Sequence, residues 1–502
     1  MLRRKSKVQL ERRENLRQLM VKKNEERKKK YEQGRSVEQV AIDEYLKNHY
    51  GEELGIKKLR RLCRHHGLKS RRSTVVELRS LLYNHIKTAD TIGDVEVKME
   101  EEDSGTEDEM KNMGGILSGD RVFNDTKAIH NVDRQMLHNH DPTLSVSQPP
   151  VTNEMHDRLN FPKVELHLHL DGAIRFETLL DLSQQKGISL AGAKTVEELK
   201  KVLVTHEPAN LSKVLEAFEI FLPVVRGDLA AIERVAYELC EDQHSNGVVY
   251  FEGRYSPHLL LCNDYPEVTA AHVVAAVKKG FDRGEKAFGI KARSIVCCIR
   301  GLDKKFPQMV LDLATDLKQL GVVAIDVAGS AHGADEQYEP EVVAAFQEAY
   351  KRGIHRTVHA GESGGPKEVI KAIEDMHAER IGHGYRVMRD EEMYQQNFVN
   401  SKRVHLEACP YSSVMTGAVP LDWKNHPISR WAKDDVNFSV SRDDPTCFDN
   451  SMMSELALAN KYIGLTPHQL WKAQLNAARS TFLPDDEKAE LIKLVEAGEP
   501  PK

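Results

Sequence analysis

From Lys163 onward, strand-length apolar runs alternate with longer helical patterns, and this alternation constrains the fold more than any other feature of the chain. Candidate strands occupy 164–170, 247–254, 293–299, 321–327, 356–360, 380–384, 403–409 and 437–442. Between several of them lie helical stretches such as LAAIERVAYELCEDQHS and PEVVAAFQEAYKRG, the second ending on Gly353, a residue type that commonly follows a helix C-terminus. Eight β-then-α units predict an α/β chain folded as a (β/α)8 barrel of the TIM type over residues 160–490. Periodicity alone does not separate a closed barrel from an open sheet.

The remaining chain is set apart by charge. Residues 1–90 hold 25 Lys/Arg against 12 Asp/Glu, residues 91–160 hold 6 against 15, and the net charge of −6 conceals the contrast. The basic head predicts either a solvated helical arm or a contact with DNA or RNA, including a nuclear-localisation role. Within it, IKKLRRLCRHHGLKSRRSTVVELRSLLYNHI (residues 56–86) resembles the SAP motif, with a basic helical hairpin of no nucleic-acid partner as the alternative. Residues 91–159, with VEVKMEEEDSGTEDEM and a Pro-containing end, read as an acidic disordered linker. No run approaches the roughly 18 to 20 apolar residues of a membrane span, and MLRRKSKVQLERRENLRQLM lacks the apolar core of a secretory signal. Seven cysteines without C-x-x-C spacing fit reduced, mostly buried thiols, so an intracellular protein is expected, cytoplasmic or nuclear and monomeric.

The first candidate strand reads Glu165-Leu166-His167-Leu168-His169-Leu170-Asp171-Gly172. Alternation along a strand puts His167, His169 and Asp171 on one face, near the C-terminal end where barrel active sites sit. An H-x-H pair is a ready metal chelate, although such a pair also occurs as hydrogen-bonded structure. Three further clusters close candidate strands: His355 to Glu362, Ile381-Gly382-His383-Gly384-Tyr385, and Ser441-Arg442-Asp443-Asp444-Pro445. Convergence at one barrel mouth would gather His167, His169, His359 and Asp443 about one ion, with Glu362 and His383 beside it. Nitrogen and carboxylate ligands suit zinc.

The segments PKVELHLHLDGA, VAIDVAG, GIHRTVHAGE, RIGHGY, HLEACPYSS and the DDP triplet, in this order, resemble the adenosine deaminase family across residues 160–485. The resemblance implies zinc-dependent hydrolysis of adenosine and 2′-deoxyadenosine to the inosine nucleosides and ammonia, with one zinc per chain held by His167, His169, His359 and Asp443. It implies that Glu362 protonates purine N1 and that His383 and Asp443 orient or deprotonate water. Gly329 would offer its N–H to N3, Asp444 would face N7, and Asp171 with His169 would meet the ribose 5′ hydroxyl. A carboxylate at that end disfavours a 5′ phosphate, which argues against a nucleotide substrate such as N6-methyl-AMP. The segment NLSKVLEAFEIFLPVV would cap the pocket through Leu211, Leu215, Phe218 and Leu222 or serve as plain core. Two residues depart from the family pattern: Arg442 stands where Thr is usual and Gly253 where an apolar residue is usual. Arg442 is expected to point away from the site and to alter helix packing behind its strand.

Overall fold

The strands alternate with outer helices because each run of apolar, β-branched residues ends in a turn signal and a helix cap. Asp228 caps the helix Leu229–Ser245 by accepting from the amides of Ala230 and Ala231, and Thr269 forms a capping box at the start of Ala270–Phe288. The first of these helices is followed by Gly247, the second by Gly289, and Gly353 follows Pro340–Lys351; all three have φ between +64° and +73°. The computed structural model describes residues 146–329 and 338–501. The basic head with its SAP-like segment, the localisation signal expected there and the acidic run to residue 145 lie outside the described residues.

Eight parallel strands follow one another in chain order: β1 Lys163–His169, β2 Val248–Tyr255, β3 Lys291–Ile299, β4 Val322–Ala328, β5 His355–Ala360, β6 Arg380–His383, β7 His405–Ala408 and β8 Phe438–Val440. All eight lie within the expected segments or overlap them by most of their length. The barrel closes between β8 and β1 through a single bridge, Leu168 to Asp443. There the His169 amide donates to the Asp443 carbonyl (3.0 Å) and the Asp443 amide to the His167 carbonyl (3.1 Å). The closing seam is thus built from the backbone of the candidate ligands themselves.

Charge fills much of the barrel interior. Arg254 pairs with Asp326 (2.8 Å) and Glu407 (2.6 Å), and Arg380 with Glu252 (2.6 Å) and Glu407 (2.7 Å), all essentially without solvent access. Two bidentate-capable guanidiniums offset three carboxylates here, and removing either cation would strand buried charge. Gly253 is accommodated because the Phe281 ring fills its place; a Cβ there would come within 3.1 Å of that ring.

Order begins earlier than the linker boundary at residue 159 allows. Thr152 caps a short helix, Asn153–Arg158, and Gln148 donates to the carbonyl of Phe448 at 3.1 Å. The end of the barrel unit also extends past residue 490, because the helix Asp485–Glu496 buries Leu491 and Val495. Among the described residues no helix is long and apolar enough to cross a membrane.

Candidate active site

The ends of β1, β5, β6 and β8 place four histidines and an aspartate around one point. His169 Nε2 lies 3.2 Å from His359 Nε2, and Asp443 Oδ1 lies 3.3 Å from His167 Nε2 and 3.4 Å from His169 Nε2. The ligating atoms of His167, His169, His359 and Asp443 all fall within 4.8 Å of one another. The other ring nitrogens are engaged: His167 Nδ1 meets Glu407 (2.7 Å) and His359 Nδ1 meets Asp326 (3.0 Å). A carboxylate on Nδ1 fixes the tautomer that turns a bare Nε2 inward, the arrangement metal-binding histidines require. His167 Nε2 is buried and makes no hydrogen bond, so the donor set fits a cation. Asp443 reaches this position with φ at +69° and accepts from Ser412 Oγ at 2.6 Å.

Above this cluster lies a cavity of about 230 Å³ lined by His169, Asp171, Gly329, His359, Glu362, His383, Asp443 and Asp444, with His167 directly beneath. Every candidate site residue is therefore gathered in one place. The cap is formed by the helix Leu211–Phe221: Val214, Ala217 and Phe221 face the core, leaving Leu211, Leu215 and Phe218, with Leu222, on the cavity wall. Gly329 has φ at +95°, a conformation that favours glycine. Gly172 must also lack a side chain, since a Cβ there would lie 1.8 Å from Asp444 Oδ1.

Burial divides the titrating groups into donors and acceptors. Glu362 is pushed up to about 7, by burial first and by the Asp443 carboxylate second. Asp444 is raised well above the carboxylate range by burial, then by Asp443, Asp171 and Glu362. Asp171 is raised to about 7 by burial. His383 is lowered to about 3, because burial outweighs the attraction of Asp443, so its imidazole is neutral. His383 Nε2 stands 3.6 Å from Glu362 Oε2 and 3.8 Å from Asp443 Oδ2. Among the described residues, one buried oxygen each of Asp171, Glu362 and Asp444 finds no hydrogen-bond partner, leaving three polar groups to meet a ligand. Such a site combines a protonated carboxyl, a neutral imidazole and a cation position within one cavity.

The sequence reading overlooked two groups behind the ligands, Asp326 and Glu407, and the rim residues Glu219 and Arg226, and it gave Ser412 only a loop-shaping place where the structure sets it on Asp443. A signal existed for both strand carboxylates: each is the lone acidic residue of its strand, in VVAIDVA and HLEA. Arg442 does point away from the cavity, reaching Glu165 and Gln243 of the outer helix Leu229–Ser245.

Comparison with known proteins gives the family. The family model described as adenosine deaminase matches residues 162–498. An adenosine deaminase of Danio rerio is 42% identical over 340 residues, covering 66% of this chain and 93% of the relative. Among solved structures, an adenine deaminase from Arthrobacter aurescens superposes with a TM-score of 0.59 at 25% identity, covering 67% of this chain and 98% of that one. The N6-mAMP deaminase of Arabidopsis gives 0.59 at 26%, covering 68% and 99%.

Proposed function

Because the chain belongs to the adenosine deaminase family, we propose that its cavity binds a purine nucleoside and that the gathered residues carry out hydrolytic deamination at C6. The activity is that of an adenosine deaminase, a hydrolase of purine metabolism that converts adenosine to inosine and ammonia. The observation that carries the assignment of roles is geometric: Glu362 and His383 face one cavity, 3.6 Å apart, beside the four-residue cluster that fits a cation.

His167, His169, His359 and Asp443 would hold one zinc ion per chain. When bound, the zinc supplies the Lewis acidity that makes water a nucleophile at neutral pH. His383 Nε2 and Asp443 Oδ2, the latter steadied by Ser412, orient or deprotonate the attacking water. The Glu362 carboxyl donates its proton to N1, which removes the ring's aromatic resistance to attack at C6. Asp444, held neutral, donates to N7, and the Gly329 amide to N3. Asp171, whose second oxygen accepts from the Ser256 amide at 3.1 Å, meets the ribose 5′ hydroxyl together with His169. Leu211, Leu215, Phe218 and Leu222 close over the base and exclude bulk water. The basic head, residues 1–90, serves localisation or nucleic-acid contact and presents no substrate, since the carboxylates of Asp171 and Glu219 on the cavity wall disfavour a continuing phosphate strand.

A second reading, a 5′-phosphorylated purine, draws on Arg226, among the described residues the one guanidinium or ammonium group lining the cavity, whose Nε is committed to the Leu259 carbonyl at 2.8 Å. Asp171 and Glu219 on the same wall weigh against it. The test is the fall in adenosine absorbance on conversion to inosine, run beside AMP, with zinc assayed on the same protein. Adenosine turnover with about one zinc per chain is expected; turnover of AMP alone would transfer the assignment to nucleotides.

A further inference from the structure

The seam between β8 and β1 brings three of the four proposed ligands together, yet it is held by one bridge pair and two backbone hydrogen bonds. Directly behind it lies a buried polar cluster. The Arg442 amide donates to Glu165 Oε1 at 2.8 Å, its Nε to both Glu165 oxygens at 3.1 and 3.2 Å, and its Nη2 to Glu165 Oε2 at 3.0 Å. The same Nη2 donates to Gln243 Oε1 at 2.9 Å, while Gln243 Nε2 returns a bond to Glu165 Oε2 at 2.6 Å. The two charged side chains are 4% and 0% exposed, so neither charge can be solvated if its partner is removed.

Glu165 lies two residues before His167 on β1, and Arg442 immediately precedes Asp443. The pair therefore spans the seam from the ligand-bearing strand to the ligand-bearing loop. Other contacts pin the same turn. Asn450 Nδ2 donates to the Arg442 carbonyl (3.0 Å) and to Glu455 Oε1 (2.7 Å), and Ser441 Oγ accepts from the His167 amide (3.1 Å). Both peptide groups of Arg442 are thereby committed, and the next residue, Asp443, holds a φ of +69° that a free chain would leave.

We propose that Arg442 and Glu165 are positioning residues of the metal centre: their buried ion pair fixes the backbone at Asp443 and so sets where its carboxylate meets the ion. The inference rests on the zinc assignment above, and the wild-type protein controls for it. Strand β1 contributes His167 and His169 and the β8 loop contributes Asp443, so a relaxed seam would move one ligand relative to two others. Ligand geometry, rather than substrate contact, is what the pair governs.

The experiment uses the full chain as wild type, Arg442→Lys, Arg442→Met and the double variant Glu165→Gln/Arg442→Met, each measured for zinc affinity by chelator competition. Visible spectra of the cobalt-substituted proteins, kcat and KM for adenosine, and Tm with and without metal complete the set. Arg442→Met is expected to bind zinc about 10- to 100-fold more weakly, the usual cost of disturbing a group behind a metal ligand. Its cobalt spectrum should shift and kcat should fall while KM stays within about threefold of wild type, with Arg442→Lys intermediate. The double variant, which leaves no buried charge unpaired, should regain Tm without regaining zinc affinity, and it carries the test if the single variant does not fold. Wild-type zinc affinity and cobalt spectrum in a folded Arg442→Met or double variant would overturn the proposal and leave the pair a structural element only. Failure of the wild type to bind zinc or cobalt would instead refute the metal assignment.

Discussion

Replacing Glu362 by Gln should separate proton delivery from metal binding. The amide matches the carboxyl in shape and can still donate a hydrogen bond to N1, but it cannot surrender a proton there. Glu362 is not among the four proposed ligands; His383 Nε2 stands 3.6 Å from its carboxylate. Positioned acid–base groups contribute roughly 100- to 10,000-fold, so kcat should fall by that factor while zinc content stays unchanged. The pH dependence follows from the raised pKa. With a value of about 7, the acid form is half populated at neutrality and about one-tenth populated one unit higher. The kcat/KM of the wild type should thus fall about tenfold per unit above that point, and Glu362→Gln should lack this limb. The sign for stability is the reverse of that for an ordinary salt-bridged carboxylate. The folded protein binds this proton more tightly than the unfolded chain, so the group's contribution is greatest below the ordinary glutamate value of 4.5 and is lost as pH rises through about 7. Steady-state rates from pH 5 to 9, with zinc measured on each preparation, decide the matter. A variant retaining more than a tenth of wild-type kcat, or a wild-type profile flat between pH 6 and 9, would refute the assignment of Glu362 as the acid.

Other consequences can be checked by simpler means. Phe218→Ala removes apolar surface from the cavity cap and should raise KM about 5- to 30-fold, from a loss of roughly 1 to 2 kcal/mol, with kcat less affected in the same steady-state assay. Gly172→Ala forces Asp444 aside, because the new Cβ would lie 1.8 Å from its Oδ1; kcat/KM should drop more than tenfold with zinc content intact. Removal of metal by chelator should abolish turnover and lower Tm, and zinc in hundredfold excess over its Kd should return about 2.7 kcal/mol of stability, readable by calorimetry. An unchanged Tm would show that the cluster holds no ion.

Much of the site was legible because a strand's period of two and the position of a barrel's mouth are local facts. From His167-Leu168-His169 and the cluster ends His359, Glu362, His383, Asp443 and Asp444 the cavity wall could be assembled without coordinates, and the structure gathers all of these. The apolar spacing of Leu211, Leu215, Phe218 and Leu222 likewise predicted a face, although only the fold showed that this face covers the cavity rather than the core. Strand ends shifted by a residue or two, as local pattern alone does not register where the last ladder bond forms. The disorder expected up to residue 159 gave way between residues 146 and 159. Its polar composition concealed tertiary partners such as the Phe448 carbonyl, 300 residues away in sequence.

Alternation, turn residues and side-chain chemistry, all encoded within a few neighbouring positions, determined the eight β-then-α units and the candidate ligands and proton carriers at their strand ends, but not the closure of the sheet. Whether a carboxyl there is charged could not be read the same way, because Glu362 and Asp444 owe their raised pKa values to burial and to carboxylates that arrive from other strands. The same holds for Asp326, Glu407 and the Glu165–Arg442 pair, whose partners are separated by 33, 240 and 277 residues. Desolvation and Coulomb interaction depend on distance in space, and only closure of the barrel sets those distances.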